Sequence, residues 1–106
     1  TFLATKVSFL NEIYNICQAG DINYETVARL AKLDNRLGDS HWKVPGPDGD
    51  FGFGGHCLPK DLQALIFLAN QLQLDVPVLN GVWKTNNQVR KHKDWEQQEG
   101  RAIINK

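Results

Sequence analysis

The segment Gly52-Phe53-Gly54-Gly55-His56-Cys57-Leu58-Pro59-Lys60-Asp61 places a thiol between a run of glycines and a proline. Glycines let main-chain N–H groups approach a ligand closely, because no side chain stands between the amides and its oxygens. Pro59 is expected at the first position of a helix, which would put Cys57 where unpaired amides carry partial positive charge. A thiolate there is stabilised relative to a free thiol, and the nearby Lys60 adds to the effect. Cys57 is thus a candidate nucleophile, with a small buried hydrophobe in a tight loop as the plainer alternative. Cys17 is the internal control: mid-helix, on an apolar face and far from any cap, it reads as inert packing. Asp61 follows the thiol by one helical turn and either accepts a hydrogen bond from a catalytic water or complements the helix dipole, the second being its default role.

Two further groups have chemistry to offer. Arg36, in Asp34-Asn35-Arg36, either presents a fork to a phosphate or carboxylate or pairs with a nearby acid, and the sequence does not choose. His56 adjoins Cys57 and invites a hydrolase reading, but neighbouring loop side chains diverge and no orienting carboxylate is evident. The basic cluster Arg90-Lys91-His92-Lys93 reads as a solvated helix face balanced by Asp94, Glu96 and Glu99.

These residues need elements to hold them. Leu3, Val7, Leu10, Tyr14 and Cys17 recur at helical spacing over residues 2–19, and Phe2, Phe9, Ile13 and Ile16 fill the adjoining stripe. Only Ser8, Asn11, Glu12, Asn15 and Gln18 form a polar strip, so this helix is expected to be largely buried, by neighbours or by a second chain. The apolar pattern is already running at Phe2, without a capping signal, as in a helix that begins further upstream. Gly20 and Asp21 stop it, and Asn23 caps a shorter helix to about Leu33. Residues 34–55 then lose the pattern; residues 45–55 hold five of the nine glycines and two of the four prolines, a long loop with backbone freedom. A third helix is expected from Pro59 to about Leu72. Pro77 opens a fourth, with Val78, Leu79, Val82, Trp83 and Asn86 leading into the charged stretch, and Gly100 ends regular structure. No strand, repeat or second domain is evident across residues 1–106, so the fold class is all-α.

Composition excludes several functions. Twelve Lys+Arg balance twelve Asp+Glu among 106 residues, so there is no electrostatic footprint for nucleic acid or anionic lipid. No apolar run approaches the roughly 20 residues of a membrane span, and the first residues lack signal-peptide character, which points to the cytoplasm. Two cysteines are too few for a disulfide framework, and with His41, His56 and His92 they lack metal-ligand spacing, so no metal is expected.

The decapeptide Gly52–Asp61 resembles the active-site signature G-F-G-G-x-C-x-P-K-D of the UDP-glucose/GDP-mannose dehydrogenases. Phe2, Leu3, Ala4, Lys6, Ser8-Phe9-Leu10-Asn11-Glu12, Asp34, Arg36 and Asn86 resemble the family's central helical domain in the same order. The resemblance implies the middle, dimer-forming part of an enzyme that also has an NAD-binding Rossmann domain and a nucleotide-binding C-terminal domain. It implies a four-electron oxidation of a sugar C6 alcohol to a carboxylate with two NAD, through a thiohemiacetal and a thioester on cysteine. Cys57 would be the nucleophile, Asp61 would position water, and Lys60 would lie near the NAD phosphates. Phe51, Gly52, Phe53, Gly54 and Gly55 would wrap a nucleotide sugar such as UDP-glucose through backbone amides, and Arg36 would reach the nucleotide of the other protomer.

Departures from the pattern are specific. The family's catalytic Lys and Asn have no counterpart in the chain, and Lys6 does not fill the vacancy. The stretch His41–Asp50 is longer than in the best-known UDP-glucose enzymes, and Leu58 replaces a frequent Phe. With no G-x-G-x-x-G to hold a nicotinamide, the chain is not expected to turn over alone. A homodimer through the first helix is expected, and a dimerisation or regulatory module without catalysis is the alternative from another functional class.

Overall fold

The computed structural model describes residues 1–55 and 57–93. The expectations attached to His56, Asp94, Glu96, Glu99 and Gly100 lie outside the described residues. Four α-helices and no strand are present among the described residues: α1 (Phe2–Ala19), α2 (Tyr24–Ala31), α3 (Cys57–Gln71) and α4 (Pro77–Val89), with a single 3-10 turn at Asn35–Leu37. The all-α fold and the long first helix follow the periodicity of the sequence.

Helix ends show how local chemistry sets the boundaries. Thr1 gives α1 no side-chain cap. At α2 the Asn23 side chain accepts a hydrogen bond from the Thr26 N–H at 3.0 Å, satisfying one orphan amide of the first turn. Helix α3 starts at Cys57, two residues ahead of Pro59, which corrects the expected start. The first-turn amides have no intrahelical acceptor, so a proline within that turn removes no helix bond, and Pro59 is fully buried there. Pro77 is the first residue of α4. That helix stops at Val89, and Arg90 is extended, so the basic cluster does not continue a solvated helix face.

Two buried clusters hold the helices. Leu10, Cys17, Tyr24, Ala28, Trp42 and Val44 pack between α1, α2 and the long loop, while Ala4, Phe53, Leu62 and Val82 join α1, α3 and α4. Leu62 is fully buried, and burial of one such side chain contributes roughly 2 kcal/mol. The Tyr24 hydroxyl donates to the Trp42 carbonyl at 2.5 Å. Burial, with smaller contributions from Glu25 and Cys17, pushes the Tyr24 phenol up to about 12, so it stays a donor.

The long loop is less free than its composition suggests. Beyond the 3-10 turn at Asn35–Leu37 it has no regular structure, yet Trp42, Val44 and Phe53 are buried in the two clusters. Turn-forming residues shape its backbone, and apolar burial fixes it.

Helix α1 keeps Leu10 and Cys17 buried and Glu12, Asn15 and Gln18 exposed, as expected, and departs from the expected faces at two polar positions. Ser8 and Asn11, from the polar strip, are buried against the rest of the fold. The Ser8 hydroxyl donates to the Val82 carbonyl at 3.0 Å, and Glu12 accepts from the Thr85 hydroxyl at 2.8 Å. Phe2, Phe9 and Ile16 are instead 82%, 60% and 61% exposed in the single chain. Ser8 and Asn11 turn inward to meet a carbonyl of α4 and an amide of the loop.

Candidate active site

The two cysteines differ in exposure. Cys57 is exposed and is the first residue of α3, whereas Cys17 is buried, and both thiols are free of disulfides. Pro59 and Leu62 face the core while Cys57, Lys60 and Asp61 are exposed. Residues four apart lie on one helix face, so Cys57 and Asp61 share a side, with Lys60 next to it. The local sequence dictates this division, because the apolar residues of the first turn bury and the polar ones remain outside.

Ahead of the thiol, the glycine loop is tethered at successive residues. The Gly52 N–H donates to Asn11 Oδ1 of α1 at 3.0 Å. Asn86, fully buried on α4, accepts from the Phe53 N–H at 2.7 Å through Oδ1 and donates to the Phe53 carbonyl at 2.9 Å through Nδ2. One side-chain amide thereby satisfies both polar groups of a buried peptide residue. Gly52 has a φ of +68°, and a Cβ there would collide with the Asn86 side chain, so this position requires glycine on both counts. The Phe51 N–H donates to its preceding neighbour Asp50 at 2.7 Å. The amides of residues 51–53 are therefore engaged within the fold, and the Phe51 ring packs 5.7 Å from that of Tyr14.

A buried ionic cluster closes the other side of the loop. Arg90 Nη2 lies 2.6 Å from Asp48 Oδ2, and Arg90 Nε lies 3.6 Å from Asp50 Oδ2. Nη1 donates to the Phe51 carbonyl at 3.3 Å, and Nε donates to the His92 carbonyl at 2.6 Å. The Asp50 carboxylate also accepts from the Lys91 and His92 amides at 3.1 and 2.7 Å. Burial pushes the Asp50 carboxyl up, but the His92, Phe51 and Lys91 N–H groups and the Arg90 charge outweigh it, leaving the group below its ordinary value. The hydrogen bond from Arg90 likewise holds Asp48 down.

A cavity of about 1180 Å³ opens beside this loop, bounded by Arg29 of α2 and its C-cap Lys32, by His41–Lys43 and by Gly52–Gly55. Of the sequence candidates, Gly52, Phe53, Gly54 and Gly55 line it. Cys57 does not, although its neighbours Gly55 and Leu58 do. Arg36 stands apart from the cavity, 87% exposed, with its guanidinium on Asp34 at 2.9 Å through Nε and 2.7 Å through Nη2. That hydrogen bond holds the Asp34 carboxyl below its ordinary value. The Lys6 ammonium is committed to the fold, donating to the Leu37 carbonyl at 2.9 Å and lying 4.9 Å over the Trp42 ring.

Sequence reading missed Arg90, Asp48, Asp50 and the inward turn of Asn11. Asn86 carried a usable signal, a polar residue continuing the apolar spacing of Leu79 and Val82. Arg90 carried none, because its acids lie about forty residues upstream in a loop.

Comparison with known proteins agrees with this arrangement. The profile described as UDP-glucose/GDP-mannose dehydrogenase family, central domain, matches residues 1–88. The UDP-glucose 6-dehydrogenase YwqF of Bacillus subtilis is 42% identical over 86 residues, covering 81% of this chain and 18% of that protein. The GDP-mannose 6-dehydrogenase of Pseudomonas syringae pv. tomato is 42% identical over 84 residues, 78% of this chain and 18% of its own length. That of Pseudomonas aeruginosa is 41% identical over 90 residues, 83% and 20% of the two lengths. The chain thus spans about a fifth of these curated relatives, and no solved structure matches it significantly. With the match running through α1, the tethered glycine loop and Cys57, the chain belongs to the UDP-glucose/GDP-mannose dehydrogenase family, as its central domain.

Proposed function

We propose that this chain is the cysteine-bearing, dimer-forming part of an NAD-dependent nucleotide-sugar 6-dehydrogenase of the cytoplasm. The observation that carries the reading is Cys57: exposed, at the first turn of a helix, and delivered by a loop held through Asn11 and Asn86. Its sulfur would add to the C6 aldehyde of the sugar, forming the S–C bond while the proton passes to the carbonyl oxygen. Loss of a hydride from C6 to the oxidant named below, and of the hydroxyl proton, would bring that carbon to the acyl level; water would then attack it and the C–S bond would break, releasing carboxylate and returning the thiol. Asp61, one turn further along the same side, would orient that water.

The oxidant is proposed to be NAD, but the described residues do not fit a dinucleotide cradle. They contain no strand and hence no strand–glycine turn–helix unit. Lys60 is the side chain proposed to approach the cofactor phosphates. The sugar and its diphosphate are assigned to the loop Phe51–Gly55, with the engaged amides of residues 51–53 holding its shape. Arg36, exposed on its turn, is assigned to the nucleotide held by a second protomer. Alone, the chain is expected to produce no NADH from UDP-glucose or GDP-mannose.

The test is thiol reactivity. Iodoacetamide should alkylate Cys57 at least ten-fold faster than Cys17, read by peptide mass spectrometry under native conditions. An ordinary cysteine-like rate at Cys57, no faster than a free cysteine control, would remove the nucleophile and favour a second reading, a helical assembly module without catalysis. That reading is favoured by one observation, the exposed stripe Phe2, Phe9 and Ile16 at seven-residue spacing on α1. Both readings expect a dimer through this face, which sedimentation showing a folded monomer at high concentration would refute.

A further inference from the structure

We propose that Arg90 is a positioning residue for the cysteine-bearing loop, acting with Asp48 and Asp50 as a clasp that joins the end of α4 to the segment leading to Cys57. The inference rests on the role proposed for Cys57 and concerns a group outside the family match, which ends at residue 88. Both acids come from the stretch His41–Asp50.

Three features support it. The Arg90 side chain is 2% exposed, and a guanidinium removed from water is costly unless its donors are matched. Besides the His92 carbonyl, which accepts from Nε, its partners include three from the loop: Asp48 Oδ2 at 2.6 Å, the Phe51 carbonyl at 3.3 Å and Asp50 at 3.6 Å. Asp50 completes the clasp from the other direction, its carboxylate accepting the Lys91 and His92 amides that follow Arg90. The loop is thus held at residues 48, 50 and 51 by Arg90, Lys91 and His92, which directly follow α4, and at residue 53 by Asn86 within that helix. Attachments on and just beyond one helix end restrain the chain between them at both sides. Three residues, Gly54, Gly55 and His56, separate Phe53 from Cys57 in the sequence. A loop without the clasp would keep the Asn11 and Asn86 tethers at residues 52 and 53 and lose its hold at residues 48–51, so the path into the start of α3 would be less fixed.

The experiment uses the full chain with Arg90→Lys, which keeps one positive charge and loses the fork. Amide hydrogen exchange is read residue by residue, and iodoacetamide alkylation of Cys57 is measured on the same samples. The expected result is exchange at the Gly52 and Phe53 amides faster by ten-fold or more, unchanged exchange in α2, and a Cys57 alkylation rate lowered at least three-fold. Unchanged exchange at Gly52 and Phe53, an equal increase throughout all four helices, or an unchanged Cys57 rate would overturn the proposal. Where the lysine variant does not fold, Asp48→Asn serves, because the Asp48 side chain is half exposed; the same regional pattern at smaller amplitude is expected, and its absence counts equally against the clasp. Failure of the underlying functional reading is separable: it appears in the unmodified chain, as a Cys57 no faster than free cysteine, whatever the exchange data say.

Discussion

Arg36 and Arg90 make nearly the same bond and have opposite consequences. Arg36 Nη2 lies 2.7 Å from Asp34 and Arg90 Nη2 lies 2.6 Å from Asp48. The first pair is two residues apart on an exposed turn, where water screens the charges and the pairing adds little to the fold. The second spans 42 residues, and its guanidinium is shut away from solvent. There the attraction between partners mainly offsets the cost of desolvation, and losing one partner leaves a charge stranded. A distance alone therefore does not rank two ion pairs; the rank comes from what surrounds them.

The comparison can be broken most directly at the buried member. Arg90→Ala should destabilise the chain by about 3–5 kcal/mol in urea unfolding, since it leaves Asp50 buried without its cation. A loss below about 1 kcal/mol, the scale of an exposed pair, would erase the distinction. A smaller effect is expected from acid. The Asp48 and Asp50 carboxyls are depressed in the folded chain from an ordinary value of 3.8. Their contribution to stability is present above that value and is lost as pH falls through the lower folded values. Tm should drop as pH is lowered below about 4, and Asp50→Asn should flatten that part of the profile; an identical profile in the variant would remove Asp50 from the account. The smallest effect belongs to Arg36→Ala, which should leave Tm at neutral pH unchanged. A fall comparable with that of Arg90→Ala would mean that the turn at Asn35–Leu37 carries more of the fold than its exposure indicates.

What could be read in advance follows the same division between near and far. Helices α1, α2 and α4 were legible because three- and four-residue apolar spacing and the signals at Asn23 and Pro77 act within a few residues. The placement of Cys57 at a helix start was legible for the same reason, and only the position of Pro59 within the first turn shifted. The roles of Asn11, Asp50 and Arg90 were not, because each is defined by a partner about forty residues away. A polar residue on an amphipathic helix looks solvent-facing until a loop with unsatisfied amides is laid against it. A basic cluster looks solvated until two acids from elsewhere are buried beside one of its members.

Helix α1 divides its labour by side. Asn11 serves the loop from one side, whereas Phe2, Phe9 and Ile16, on the other, take no part in the hydrogen bonds that shape it. Mutation could therefore change the exposed apolar face while leaving the loop's tether untouched, and the loop could be retuned without disturbing that face. Two properties that share eighteen residues of sequence are free to evolve separately.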